Sequence, residues 1–246
     1  KKSHGPGEHE YEKSLKLLKV MLDHAENIKG IKTKVYFNGW PADASTFKDA
    51  DVIVVFADGS DFNEESDPLF VGDHLNVLAE QMKRGCGLVL LHYSTFAPNK
   101  YADKFLDWTG GYYDYQSGPP DSTGKSRSYS AYLVETAIVK PISPSHPISY
   151  GLKPFQIHDE FYYHIHFINN DNRFTPILAV PINGKDTDQI VAWAVTRKDG
   201  GRGFAFTGGH YFANCENFNY RKMILNAIVW ASGLKVPKGG IESKYY

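Results

Sequence analysis

Three histidines stand at positions where a folded chain can bring them to the edge of a cleft. His9 opens a predicted helix behind a Gly-Pro-Gly loop that begins at His4. His92 ends an apolar strand, and His210 follows two glycines at the end of another. Such imidazoles can bind a divalent metal or transfer protons near neutral pH. The alternatives are an ordinary histidine of a surface loop at His9, a hydrogen-bonded core histidine at His92 and a turn with an incidental histidine at His210.

A second group of ionisable side chains lies in residues 158–167, which read HDEFYYHIHF. If this segment is one strand, its period of two turns His158, Glu160, Tyr162, His164 and His166 to a single face. Asp159 then faces the other side, among aromatic residues. Glu160 suits a metal ligand or a general base, and Asp159 is a second candidate base. For His164 and His166 the alternation favours a solvated strand face over metal binding.

The composition limits the partners of such a cleft. The 246 residues carry 27 Lys and Arg against 28 Asp and Glu, so the net charge is −1 and no segment is strongly basic. Nucleic acid and acidic membranes are therefore disfavoured as partners. Ten histidines with 4 Trp, 16 Tyr and 15 Phe suit a pocket for a small polar molecule. The apolar runs have strand length, so no membrane span is expected.

Alternating helices and strands must position these side chains. Apolar spacing predicts helices over residues 8–27, 67–85, 100–109 and 220–231. Apolar or alternating runs predict strands over residues 33–37, 52–57, 88–93, 132–138, 155–167, 174–180, 189–195 and 203–207, with a long loop over 110–130. This order indicates an α/β fold whose mainly parallel sheet is covered on both faces. Ligands then bind beyond the carboxyl ends of the strands, where His92 and His210 are expected.

We expect a single domain over residues 1–246, with residues 236–246 as a surface tail. A doubly wound domain normally begins with a central strand, whereas this chain opens with a loop that leads into a helix. A first central strand is therefore expected upstream of Lys1. An export signal ahead of that strand would favour an exported or periplasmic location over a cytoplasmic one.

Covalent catalysis by serine or cysteine is disfavoured. The chain lacks a Gly-x-Ser-x-Gly or Gly-x-Cys-x-Gly elbow, and His92 holds the elbow position after its apolar strand. Cys86 precedes that strand, at the end opposite the expected cleft. An amidohydrolase that uses Cys215, shortly after His210, is the remaining covalent alternative. Two cysteines cannot form a disulfide framework or a CxxC metal site.

Several short motifs are distributed along nearly the whole chain. They are His4–Tyr11, Gly85–His92, Phe105–Gly111, His146-Pro147-Ile148 with Gly151-Leu152, Asp159-Glu160-x-Tyr162-Tyr163, Ala192-Trp193, Gly201-Arg202-Gly203 and Gly209-His210. In this order they resemble the trehalose-utilisation (ThuA-like) family. The resemblance implies the class I glutamine amidotransferase-like fold, a flavodoxin-like three-layer α/β sandwich. It does not bring glutaminase chemistry, because His92 stands where that superfamily carries its cysteine.

The resemblance also implies a role in sugar catabolism, notably of disaccharides that are first oxidised to 3-keto forms, and some members resemble metal-dependent enzymes. We therefore expect a hydrolase or lyase that acts on a sugar or a 3-keto-glycoside. A divalent metal such as Zn or Mn would be held by His9, His92 and His210. Glu160 would be a fourth ligand or the general base, with Asp159 as the other catalytic carboxylate.

Four further side chains are expected to contact the sugar: His4, Tyr113, Tyr162 and His158. After Gly110-Gly111 many family members carry a histidine, whereas Tyr112–Gln116 follow here, which indicates a different substrate wall. The alternative function is a non-catalytic carbohydrate-binding or scaffold module, in which the histidines only hydrogen-bond sugar hydroxyls. The sequence leaves a homo-oligomer open.

Overall fold

A seven-stranded sheet forms the centre of the protein in a computed structural model that describes residues 4–59, 63–125 and 127–243. In chain order the helices and strands are α1 (Tyr11–Asp23), β1 (Val52–Val55), α2 (His74–Lys83), β2 (Gly87–Leu91), β3 (Phe96–Ala97), α3 (Ala102–Trp108), β4 (Gly111–Asp114), β5 (Ala131–Pro141), β6 (Phe155–Tyr163), β7 (His166–Phe167), β8 (Phe174–Val180), β9 (Gln189–Thr196), β10 (Arg202–Phe206) and α4 (Phe218–Ala231). The α/β class predicted from the sequence is confirmed.

The direction of the strands differs from the prediction. The sheet has the order β1-β2-β10-β9-β8-β5-β6, and only the β1–β2 and β2–β10 pairs are parallel. The pairs β10–β9, β9–β8, β8–β5 and β5–β6 are antiparallel. The prediction of a mainly parallel sheet is therefore wrong: the sheet is mixed. Buried antiparallel strands are apolar on both faces, so their composition resembles that of parallel strands.

Helices cover both faces of the sheet because alternate residues of its central strands are apolar on both sides. On one face α1 and α4 pack against Val89 and Leu91 of β2, and all three elements belong to one buried apolar cluster. On the other face α2 and α3 pack against Leu88 and Leu90 in a second cluster. The four side chains lie on two faces because strand residues alternate. The sheet edge that carries His92 is thereby held rigid.

A small three-stranded sheet of β3, β4 and β7 lies beside the main one. Residues 111–114, which were expected to start a long loop, form β4 instead. The predicted strand over residues 155–167 is interrupted after β6, because His164 adopts a left-handed φ of 52°. His166 then pairs with Tyr112 of β4, so the expected single polar face ends before residue 164.

Three other predictions need correction. Residues 33–37 form no strand and pair with none in the described chain; Thr33 instead hydrogen-bonds Lys19 of α1. The second helix begins at His74, because Asp67 caps a separate turn by accepting a hydrogen bond from the Leu69 amide. The expected surface tail is buried at Val236 and Ile241, while residues 244–246 lie outside the described residues.

Within the described chain, no helix has the length and apolarity needed to cross a bilayer.

Candidate functional site

His92 lies directly after β2 and is completely buried. Its φ of 52° is left-handed, a conformation that costs a residue with a side chain about 1–2 kcal/mol. The ring Nδ1 lies 2.8 Å from the carbonyl oxygen of Thr207 on the neighbouring chain segment. Because a carbonyl can only accept, Nδ1 carries the proton and Nε2 of the neutral ring carries the lone pair, which faces the other side chains of the site. This arrangement is typical of a metal-binding histidine.

The loop after β10 presents His210, and Asp159 holds that loop in place. The Asp159 carboxylate accepts hydrogen bonds from the backbone amides of Gly209 at 2.9 Å and His210 at 3.0 Å. It also accepts one from the amide of Glu160 at 3.0 Å. A side chain at Gly208 would bring its Cβ to 2.7 Å from Asp159 Oδ2, so glycine is required there. The fully buried Asp159 therefore joins β6 to the loop of His210.

His9 reaches the same place from the start of α1. Its backbone amide donates to the carbonyl of His210 at 2.8 Å, and its φ of 46° is again left-handed. The His9 Nε2 atom lies 3.0 Å from Nε2 of His92. The opening loop and the loop after β10 are thus joined through backbone pairing, which brings two of the predicted ligands together.

Glu160 of β6 completes the cluster. Its Oε2 atom lies 3.5 Å from Nε2 of His92 and 3.5 Å from Nδ1 of His210. One ligand atom from each of His9, His92, Glu160 and His210 lies within 4.8 Å of the other three. The Nδ1 atom of His210 is buried, and the Glu160 carboxylate is its charged neighbour. Three nitrogens and one carboxylate oxygen fit the donor set of a Zn or Mn ion.

The electrostatics of the cluster favour neutral imidazoles at His9 and His92. Burial, together with smaller effects of the nearby His210 and His4, lowers the pKa of His9 to about 3. Burial also lowers the pKa of His92 well below its usual range. Burial alone would lower the pKa of His210, but hydrogen bonding and charge from Glu160 raise it, with smaller effects of Asp159 and Glu8. Neutral rings are the form that binds metals.

The four predicted sugar-contacting residues lie at different depths around the cluster. The ring of exposed His4 lies 3.9 Å from the ring of His9. The Tyr162 hydroxyl lies 3.1 Å from Nε2 of His92, and its buried ring packs against Tyr113 at 5.1 Å. His158 is exposed, and its Nδ1 lies 3.0 Å from the Thr136 hydroxyl.

Two residues at this site were missed by the sequence reasoning. Glu8 Oε1 lies 4.0 Å from Nε2 of His210, and the ring of Tyr211 lies 4.5 Å from the same histidine. Glu8 and Tyr211 also pair with each other through their backbones. Each is the direct sequence neighbour of a predicted ligand, which was the available signal.

A family model described as trehalose utilisation matches residues 3–231 of the chain. The chain belongs to the ThuA family. A ThuA-like protein from Parabacteroides merdae has a similar structure, with a TM-score of 0.65 at 15% identity over 96% of this chain and 94% of that one. A ThuA-like protein from Bacteroides uniformis gives a TM-score of 0.53 at 15% identity over 78% of this chain and 75% of that one. At such identities the similarity shows the fold alone. Among curated proteins, none matches.

Other candidates in this ThuA-family chain lie apart from the cluster. His166 Nδ1 lies 3.2 Å from Asp114 Oδ2, and the exposed His164 contacts Tyr163. Burial raises the pKa of the Cys215 thiol to about 11, which disfavours the thiolate that a covalent mechanism needs. Burial likewise raises the pKa of Cys86 to about 11.

Proposed function

We propose that this ThuA-family protein is a carbohydrate-processing enzyme that acts on a sugar or a 3-keto-glycoside with a divalent metal. The observation that carries the proposal is the convergence of four ligand atoms within 4.8 Å at the end of the central sheet. His9, His92 and His210 would hold the metal. A bound Zn or Mn ion would supply Lewis acidity to a sugar carbonyl or an adjacent hydroxyl.

Glu160 is the proposed general base. Its side chain is 15% exposed, whereas His92 beside it is completely buried, so the carboxylate is the part of the cluster that a substrate can approach. A carboxylate there can take a proton from water, which leads to hydrolysis, or from carbon next to a sugar carbonyl, which leads to elimination. Glu160 lies 3.5 Å from both His92 and His210, which hold it at the centre of the site.

Asp159 has a positioning role in this proposal. Its buried carboxylate is engaged by three backbone amides and faces away from the cluster, so it acts on the reaction only through His210 and Glu160. His4, His158 and Tyr162 are proposed to bind sugar hydroxyls, with Tyr113 supporting the ring of Tyr162. The neutral net charge of the chain agrees with an uncharged substrate.

Metal analysis combined with a substrate screen tests the function. The protein is supplied with Zn or Mn, its metal content is measured, and glycosides with their 3-keto derivatives are screened for turnover. We expect close to one metal per chain and turnover of at least one keto-sugar. His92→Ala should lose the metal, and Glu160→Gln should lose turnover, whereas His166→Ala should retain both because it lies apart from the cluster.

Two results would contradict the proposal. Retention of full metal content and turnover by both His92→Ala and Glu160→Gln would remove the assigned roles. Binding of sugars without metal and without turnover would instead support a non-catalytic carbohydrate-binding module.

A further inference from the structure

The outward face of β5 is uncovered and carries three exposed apolar side chains, with the polar Thr136 between Val134 and Ile138. Tyr132 is 60% exposed, Val134 is 40% exposed and Ile138 is 50% exposed. Their side chains share one face because strand residues alternate, while Leu133, Ala137 and Val139 turn inward to the core. Several exposed apolar side chains on one face of a folded domain commonly mark a binding surface. We call the face formed by Tyr132, Val134 and Ile138 the β5 platform.

The β5 platform continues directly into the candidate site. In the antiparallel β5–β6 pair, Val134 lies opposite Glu160 and Tyr132 lies opposite Tyr162. Opposite residues share a face, with Cβ atoms about 5 Å apart. The next pair, Thr136 and His158, confirms this orientation because Thr136 Oγ1 lies 3.0 Å from His158 Nδ1. A ligand that touches Glu160 therefore has Val134 and Tyr132 as its immediate neighbours.

The chemistry of the β5 platform differs from that of the cluster beside it. Its three side chains carry no charge, and the one acidic residue between them, Glu135, turns to the opposite face and accepts hydrogen bonds from the Asn183 amide. The platform suits an aromatic ring or an alkyl chain rather than a second sugar, whose hydroxyl groups would be poorly solvated there. Along β5 it extends from Tyr132 to Ile138, a span of about 20 Å.

We infer that the β5 platform binds the apolar aglycone of a glycoside whose sugar lies against Glu160. This inference rests on the proposed carbohydrate function and makes it more specific: the preferred substrates are aryl or alkyl glycosides. Tyr132 stacks on the aglycone, Val134 contacts the atoms nearest the glycosidic bond, and Ile138 contacts longer aglycones. The sugar is recognised by the polar cluster, and His158 borders both surfaces because it lies opposite Thr136.

Binding of paired ligands to the metal-loaded protein tests the inference. Phenyl β-glucoside and methyl β-glucoside share the sugar and differ in the aglycone, and their affinities are compared by calorimetry and ligand-observed NMR. We expect the wild type to bind the phenyl compound about tenfold more tightly, equivalent to about 1.4 kcal/mol. Tyr132→Ala combined with Val134→Ser should reduce that preference to less than about twofold, and it should weaken binding of the methyl compound by less than about twofold because only one methyl group contacts Val134.

The control is Val20→Ser on α1, where an apolar side chain is 39% exposed on another element. This variant should keep the preference for the phenyl compound. Circular dichroism and metal content verify that each variant folds and loads as the wild type does. The side chains of Tyr132 and Val134 are both exposed, so both substitutions are compatible with folding.

The outcomes separate the two proposals. Equal affinity for the two glucosides, or a preference that survives in the double variant, overturns the platform while metal binding and keto-sugar turnover remain intact. Absence of binding of either glucoside together with absence of turnover overturns the proposed function and the platform with it. Sedimentation is measured in parallel: if the wild type is a dimer that the double variant dissociates, a second copy covers this face and the aglycone inference is wrong.

Discussion

His9 and His92 both occupy left-handed backbone conformations, with φ values of 46° and 52°. Together these cost about 2–4 kcal/mol relative to relaxed backbone. The cost persists because the surrounding structure fixes each residue: the His9 amide is bonded to the His210 carbonyl, and the His92 ring to the Thr207 carbonyl. Backbone strain of this kind concentrates where function needs a fixed geometry, which agrees with metal binding.

Asp159 and Glu160 are adjacent, yet we expect opposite consequences when each is replaced by alanine. Asp159→Ala leaves three buried backbone amides without their acceptor and should lower the free energy of unfolding by about 2–4 kcal/mol. Glu160→Ala should change it by less than about 1 kcal/mol. Urea denaturation of the metal-free proteins measures both changes in the free energy of unfolding. The measurement is made at pH 6, where Asp159 is largely neutral because burial raises its pKa to about 7. Equal losses would exclude the positioning role.

At the residue scale the sequence predicted four residues that the structure brings together, and it missed the contacts that hold them in place. His92 and His210 follow apolar strands, so their common edge could be inferred from strand direction. The alternation of β6 separated Asp159 from Glu160 correctly, but it gave no sign that the loop of Gly209 closes over Asp159. The carbonyl of Thr207 carries no side-chain signal at all. Such contacts depend on how distant segments meet in space.

At the scale of elements, connection lengths carry information that strand composition does not. The connections from β8 to β9, over residues 181–188, and from β9 to β10, over residues 197–201, are both short. A parallel crossover needs a dozen or more residues, so these lengths already indicate antiparallel neighbours. The continuous apolar runs of the same strands favoured a parallel sheet instead. Helices and strands could thus be predicted from the sequence, whereas their directions required the connections to be considered.

The turn before α2 contains a carboxyl group that should make stability depend on pH. Burial is the largest of the effects that raise the pKa of Asp67 to about 7; the hydrogen bond from the Leu69 amide opposes it, and the charges of Asp58 and Glu64 add to it. The unfolded chain has an ordinary pKa near 3.8 at this residue, so the folded state binds the proton more tightly. The contribution of Asp67 to stability should therefore be greatest below about pH 4, fall as the pH rises to about 7, and level off above it.

Asp67→Asn should remove this pH dependence. Asparagine keeps an acceptor for the Leu69 amide and has no charge to bury, so at pH 8 the variant should be more stable than the wild type by about 2–4 kcal/mol. Asp73→Asn, on an exposed residue of the same segment, should retain the wild-type profile. Urea midpoints measured between pH 4 and pH 8 give the comparison. A slope that is unchanged in the Asp67 variant would show that another group causes it.

At the scale of the whole molecule, the candidate site joins parts of the chain that are far apart in sequence. His9 precedes α1, His92 follows β2, Glu160 lies in β6 and His210 follows β10. These segments come from the helical layer and from strands near both ends of the sheet order. The unfolded chain cannot hold the four ligands together, so metal binding should act as a constraint on the complete fold.

A metal bound at this site should therefore stabilise the protein as a whole. At a free metal concentration about 100 times the dissociation constant, the gain is about 2.7 kcal/mol, which for a chain of 246 residues raises the Tm by about 5–10 °C. Calorimetric scans with Zn or Mn, before and after addition of a chelator, measure the shift. His9→Ala and His92→Ala should abolish it, whereas His166→Ala should preserve it. An equal shift in all three variants would mean that the metal binds elsewhere, and no shift in the wild type would contradict the proposed site.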